Sequence, residues 1–214
     1  MAPPQQRSSS LVRFDRVERA THWANATLFA TLMVTSLPLY FSQIEAHIGR
    51  RHLLVEIHVW AGVSLPVPLL VSLAGPWGAR LRSDLRRASL WTSAELTWLR
   101  TLGRSRLRLR DKFNPGQKAN VLFIGTMIVV TLGTGSVMNW VGHFPLEWRT
   151  GATFVHDICA LAIFLVVFGH IGFALTHPQA LRSIFTGRVS RSWAEQHANG
   201  WLAEEASTEM TLDH

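Results

Sequence analysis

Residues 151–177 read GATFVHDICALAIFLVVFGHIGFALTH, an apolar run that carries His156, Asp157 and His170 in its interior. It is long enough to cross a hydrocarbon core about 30 Å thick as a helix. The two histidines lie fourteen residues apart. A helix that turns about 100° per residue brings them onto nearly one face, roughly 20 Å apart along the axis. One imidazole then falls near each edge of the core. An ionisable side chain inside a span is costly and marks function by default. Two on one face, one per leaflet, point to two redox centres stacked across a membrane.

The rest of the chain agrees with a membrane setting. Of 214 residues, 48% are hydrophobic and 16% charged, and the apolar residues are blocked into runs instead of spread at a surface-helix period. The single cysteine, Cys159, excludes an iron–sulfur cluster, a zinc ribbon or an internal disulfide built by this chain alone. No Gly-rich phosphate loop or dinucleotide fingerprint is present. The opening MAPPQQRSSS has no apolar stretch followed by a small-residue cleavage site, so the first span is expected to act as its own insertion signal.

Four spans are expected, at about 21–41, 52–77, 119–141 and 151–177, with a long hydrophilic loop at 78–118. Pro66 and Pro68 should kink the second span in its second half. Thr176-His177-Pro178 ends the fourth. Arg7, Arg13, Arg16 and Arg19, the run from Arg80 to Lys118, and Arg182, Arg188 and Arg191 stand against only Arg50, Arg51 and Arg149 on the opposite side. The positive-inside rule then places both termini and the long loop in the cytoplasm. The net charge of +7 is thereby explained by orientation, with anionic lipid as its partner and no nucleic acid. The expected fold is an all-α integral membrane protein, a single domain over 1–214 built as a four-transmembrane-helix bundle. Within the loop, the pattern of SLWTSAELTWLRTL at 89–102 suggests a short helix, either at the membrane interface or against a partner domain.

Depth sorts the ten histidines. His22 and His170 share the cytoplasmic side; His58 and His156 share the outer side. A four-helix bundle holds cofactors between facing helices, and two imidazoles fill both axial positions of a haem iron. Such a haem has no open site and moves electrons. Ala61 and Gly62, Gly151 and Ala152, and Gly169 and Gly172 suit close approach of backbones and a flat macrocycle. His52, at the mouth of the second span, ranks below His58 as a ligand. It joins His47, His143, His177, His197 and His214, which are expected to bond neighbouring carbonyls or reach the interface. A zinc site is the weaker reading, since no Cys, Asp or Glu completes a four-ligand set, although Asp157 adjoins His156.

Asn114-Pro115-Gly116-Gln117 is a helix start, with Asn at the cap, Pro at the first position and Gln at the third. It lies at the depth of His170. Its amides and the helix N-terminus offer donors to a quinone carbonyl, with Lys118 and Asp111 placed to deliver protons. Arg13, Arg16 and Arg19, near His22, suit haem propionates, but their larger role is positive-inside anchoring.

Several segments in order carry a family resemblance: Arg19-Ala20-Thr21-His22-Trp23; Ile57-His58 with Gly62; Lys112-Phe113-Asn114-Pro115-Gly116-Gln117-Lys118; His156 and His170; and Gly187-Arg188-Val189-Ser190-Arg191-Ser192-Trp193. Over nearly its whole length the chain resembles the cytochrome b (gamma) subunit of membrane-bound respiratory formate dehydrogenase. The resemblance implies two haems b, on His22 with His170 and on His58 with His156. It implies a menaquinone or other quinone bordered by Asn114, Gly116, Gln117 and His170. It also implies an iron–sulfur (beta) subunit, a molybdopterin catalytic (alpha) subunit, a higher oligomer of the complex, and a multi-pass place in the bacterial cytoplasmic (inner) membrane. Such a subunit reduces quinone and does not itself act on formate. Related anchors serve hydrogenases and sulfur-compound reductases. A histidine-lined ion or metal permease and a purely structural anchor are the readings from other classes.

Overall fold

The computed structural model describes residues 10–101, 104 and 111–212, with the backbone alone for 206–212. Arg7, Leu102 and His214 lie outside this set.

The first long helix, α1 (Arg16–Tyr40), starts five residues before the expected span at Thr21. The cause is a reciprocal cap. The Glu18 amide donates to Asp15 Oδ1 at 2.8 Å and the Asp15 amide donates to Glu18 Oε2 at 2.6 Å. The pattern Asp15-x-x-Glu18 was the sequence signal for it. After Tyr40 the chain bends by 101° into α2 (Ser42–Ile48), which closes on Gly49 at φ 65°. The next span is α3 (Arg51–Ser64) followed by α4 (Val67–Ala74). The break falls at Leu65-Pro66, because Pro66 has no amide hydrogen to continue the ladder. The helix is thus interrupted where the kink was expected, and the span ends at Ala74 instead of Trp77.

Two shorter helices come next, α5 (Ala79–Ser89) and α6 (Ser93–Arg100). Then come α7 (Pro115–Asn139) and α8 (Leu146–Leu175). At 1.5 Å per residue α8 is about 45 Å long, more than a hydrocarbon core needs. Three segments are long and apolar enough to span by themselves: Arg51–Ala74, Pro115–Asn139 and Leu146–Leu175. The bent pair α1 and α2 qualifies only together, as a fourth. Large side chains such as Val34, Trp60, Val129, Phe154, Leu161 and Leu165 are exposed on these helices. A patch of that size faces lipid rather than water.

The long helices form two close pairs. α1 runs along α3, and α7 along α8. Between the pairs, among the described residues, α3 and α7 touch, far more sparsely than the helices within a pair; α8 stands off from α1 and α3.

One end of the bundle carries a folded platform. The chain leaves α8 through α9 (Pro178–Thr186), a strand, α10 (Arg191–His197) and α11 (Asn199–Leu212). The strand β2 (Arg188–Ser190) pairs antiparallel with β1 (Ser10–Val12), with Leu11 opposite Val189. This clasp of the chain's two ends is absent from the all-α expectation; at three residues each, the strands leave no period in the sequence. Gly187 turns into it at φ 79°, and its carbonyl accepts from the amides of Arg13 and Phe14 at 2.8 and 3.1 Å. A Cβ there would stand 2.5 Å from the Phe14 carbonyl oxygen. Val189, Ala194, Ala198 and Trp201 form the platform's small core.

The expected hydrophilic loop at 78–118 is also part of the platform. Its described residues hold two helices where one was expected. α5 was missed under its arginines, though Leu81, Leu85 and Ala88 repeat at helical spacing. α6 starts at Ser93 under a Thr92–Glu95 cap and packs on α7. Its Glu95 meets Lys118 at 2.7 Å, and Lys118 also meets Asp111 at 2.7 Å. Lys112 is buried between Asp84 and Glu18. Arg87 reaches Glu204 at 2.6 Å and Arg80 reaches Glu205 at 3.2 Å, tying α11 down. Arg13 is buried, its guanidinium carbon 4.6 Å from the Trp193 ring centre. Burial pulls its pKa down to about 10, against the opposing pull of Asp84, so it stays charged at neutral pH.

Candidate functional site

Each of the two gaps between the helix pairs is bridged by facing imidazoles. His22 on α1 stands opposite His170 on α8, with ring centres 6.4 Å apart. His58 on α3 stands opposite His156 on α8, again at 6.4 Å. The first pair lies toward the platform, the second toward the far end. In each case the partner comes from the other helix pair, so the rings meet across the space that α8 leaves.

The far pair is held by two hydroxyls that the sequence reading missed. Thr35 Oγ1 lies 2.9 Å from His58 Nδ1, and Thr134 Oγ1 lies 3.0 Å from His156 Nδ1. Thr35 donates its own hydrogen to the Thr31 carbonyl at 2.7 Å, and Thr134 to the Val130 carbonyl at 2.8 Å. With its hydrogen committed, each hydroxyl accepts from the imidazole Nδ1–H. That fixes the tautomer and leaves the Nε2 lone pair free. Each threonine belongs to the helix packed beside its histidine: α1 beside α3, and α7 beside α8. The only signal in the sequence was a hydroxyl on an apolar helix at the depth of a histidine. Gly135 sits under the His156 ring, where a Cβ would touch Cε1 at 3.4 Å.

These residues fit a haem. A metal–imidazole bond of about 2 Å, with roughly 1.1 Å from ring nitrogen to ring centre, sets two trans imidazoles about 6.2 Å apart. Both observed separations lie close to that value. No group of three His, Cys, Asp or Glu converges among the described residues. A two-ligand set serves a haem iron and leaves a tetrahedral zinc short. Gly151, Gly169 and Gly172 have open space beside them, with nothing within 4 Å of an added Cβ. They do not mark close helix packing in this chain; they leave room.

The platform-end pair is held differently. The Trp23 ring packs edge-on against His22 at 5.5 Å. No hydrogen bond reaches either ring among the described residues. One turn further along α1, Asn25 carries a buried amide oxygen without a partner, the kind of orphan that a bound group satisfies. The arginines near His22 are largely engaged elsewhere. Arg19 donates to the Phe185 carbonyl and, at 3.3 Å, to that of Asp15; Arg13 donates to the Lys112 carbonyl at 3.3 Å.

Asn114, Gly116 and Gln117 form the start of α7 as the sequence suggested. The Gln117 amide donates to Asn114 Oδ1 at 2.9 Å and the Asn114 amide to Gln117 Oε1 at 3.0 Å. The two side-chain NH₂ groups are left over from this cap. Gly116 lies beside the Trp98 ring. No hydrogen bond or ring contact joins this segment to His170 among the described residues. Lys118 and Asp111 pair with each other. A groove of about 430 Å³ opens at the platform end between α1 and α4, lined by Arg16, Ala20, Ala24, Val67, Val71 and Trp77 among others, and none of the four expected quinone residues borders it.

Four of the remaining histidines make local side-chain contacts. Nδ1 of His47, His177 and His197 lies 2.7, 2.9 and 3.0 Å from the carbonyl four residues earlier. His52 lies 3.7 Å from Glu56 on an exposed helix face.

Comparison with known proteins agrees with this architecture. Residues 13–187 match the family model described as prokaryotic cytochrome b561. The cytochrome b556(Fdn) subunit of the nitrate-inducible formate dehydrogenase of Escherichia coli K12 is 21% identical over 210 residues, covering 92% of this chain and 93% of that one. Its counterpart from Shigella flexneri gives the same figures. The cytochrome b556(fdo) subunit of formate dehydrogenase from Escherichia coli K12 is 22% identical over 210 residues, covering 95% and 97%. The family match contains all four facing histidines, both threonines and the α7 cap: this chain is a multi-pass membrane protein of the prokaryotic cytochrome b561 family.

Proposed function

We propose that the chain is the electron-transfer and anchor subunit of a membrane-bound formate dehydrogenase and carries two haems b. His58 and His156 would hold one, His22 and His170 the other. Bound there, haem would supply a one-electron couple. The chain's residues do the rest. Thr35 and Thr134 orient the far imidazoles. Helices α1, α3 continued by α4, α7 and α8 act as four spans and keep water away. The basic platform faces the cytoplasm, the far end faces outside, and the membrane is the bacterial inner one. The relatives are named as cytochrome b556 subunits of formate dehydrogenases, and the partners expected here are an iron–sulfur subunit and a molybdopterin subunit on the outer side. Asn114, Gly116, Gln117 and His170 border the quinone, to which the free amide NH₂ groups of the α7 cap donate. Lys118 and Asp111 lie behind them for proton supply.

The observation that carries this reading is the repeated 6.4 Å separation of imidazole pairs across two separate gaps. Haem quantitation on the purified full chain tests it: two b-type haems per chain are expected. Protein that is folded in detergent and free of haem would overturn the assignment.

A further inference from the structure

The two histidine pairs share a spacing but not a hydrogen-bonding environment. Both far rings donate from Nδ1 to a threonine hydroxyl, and each also has a backbone carbonyl as a partner, that of Leu32 for His58 and of Thr131 for His156; no hydrogen bond to either platform-end ring is found among the described residues. An imidazole whose Nδ1–H is engaged is a stronger electron donor at Nε2. Stronger donation stabilises ferric over ferrous iron and lowers the reduction potential.

We propose that Thr35 and Thr134 are positioning residues that set the far pair at a lower reduction potential than the platform-end pair. The difference gives the chain a built-in direction. With haem held at both pairs, an electron given up at His58 and His156 would be taken up at His22 and His170, with no proton moved. The direction runs from the far end to the platform end. This inference rests on the haem assignment above and adds the two hydroxyls as its control.

The test is a potentiometric titration of the haem-loaded full chain, with Thr35→Val and Thr134→Val singly and together. The His58→Ala variant identifies the far couple by its loss. In the double variant the lower midpoint should rise, with up to a tenfold change in the reduced fraction at fixed potential, about 59 mV for a one-electron couple. The upper midpoint should stay in place. Each single variant should give about half the shift and carries the test alone if the double variant binds no haem. Thr35→Ser and Thr134→Ser, which keep the hydroxyl, should restore the original value. If both midpoints stay put in variants with full haem, or if the upper one moves instead, the proposal is overturned. If the unmodified chain holds no haem, the underlying assignment fails instead, and the two failures are told apart.

Discussion

The far pair and the platform-end pair of imidazoles have the same ring spacing and opposite supports. At the far end, His58 and His156 are fixed from within the apolar helices, by one hydroxyl each. At the platform end, His22 and His170 have no such bond, and the neighbouring structure is a folded, ionic shell of short helices and a strand clasp. The contrast separates two jobs that a single span could not do at once. A site tuned by two bonds in a dry helix pair is insulated. A site next to buried charges and an exposed rim can exchange groups with water.

Replacement of the ligands should break the comparison most sharply. His58→Ala or His156→Ala is expected to remove one haem and leave the platform-end one, halving the haem measured per chain. His22→Ala or His170→Ala should do the reverse. Joint loss of both haems in every variant would mean that the pairs are not independent sites.

Next in size is the platform itself. Lys112 is buried between Asp84 and Glu18. Lys112→Ala leaves two buried carboxylates unpaired and should cost about 3–5 kcal/mol, read as a fall in the midpoint of thermal unfolding. The far-pair spectrum should be unaltered below that transition. Gly187→Ala comes after it. The positive φ and the crowding against the Phe14 carbonyl predict a loss of about 1–3 kcal/mol by the same measurement. An unchanged midpoint would show that the clasp contributes nothing.

The smallest expected effect on stability is the most informative about the quinone. Asn114→Asp keeps the helix cap but removes the side-chain NH₂. Stability should change by less than about 0.5 kcal/mol, while quinone reduction by the intact complex falls. Equal activity in Asn114→Asp and the unmodified complex would reduce Asn114 to a cap and nothing more.

How legible was this in the sequence? Three of the spans were, because apolar blocks at membrane length have few other uses; the first qualifies only together with the bent helix after it. So was the depth pairing of His22 with His170 and His58 with His156, because helical rise converts sequence position into depth. The first helix start was missed through the capping pattern at Asp15 and Glu18. Helix α5 hid beneath its arginines, since a basic amphipathic stretch reads as loop until something packs on Leu81 and Leu85. The strand clasp and the threonine bonds were not readable. Each depends on two residues brought together from distant positions, and a three-residue strand or a lone hydroxyl carries no periodicity of its own. Several of the cations that were read as orientation signals, Lys112, Lys118 and Arg13 among them, are held by carboxylates or an aromatic ring. The charge count therefore overstated how many of them are free to meet lipid.

Both imidazole pairs draw one ring from α8, and the clasp joins residues near the two ends of the chain. During synthesis this fixes an order of events. His22 and His58 enter the membrane early, each with no opposite ring. At roughly 5–20 residues per second, seconds to tens of seconds pass before α8 is made. Only then can either site have two ligands, and only afterwards can Arg13 be covered by Trp193. The last long helix to emerge is thus the one that makes both sites, so a truncated chain cannot hold a half-built pair in its final geometry.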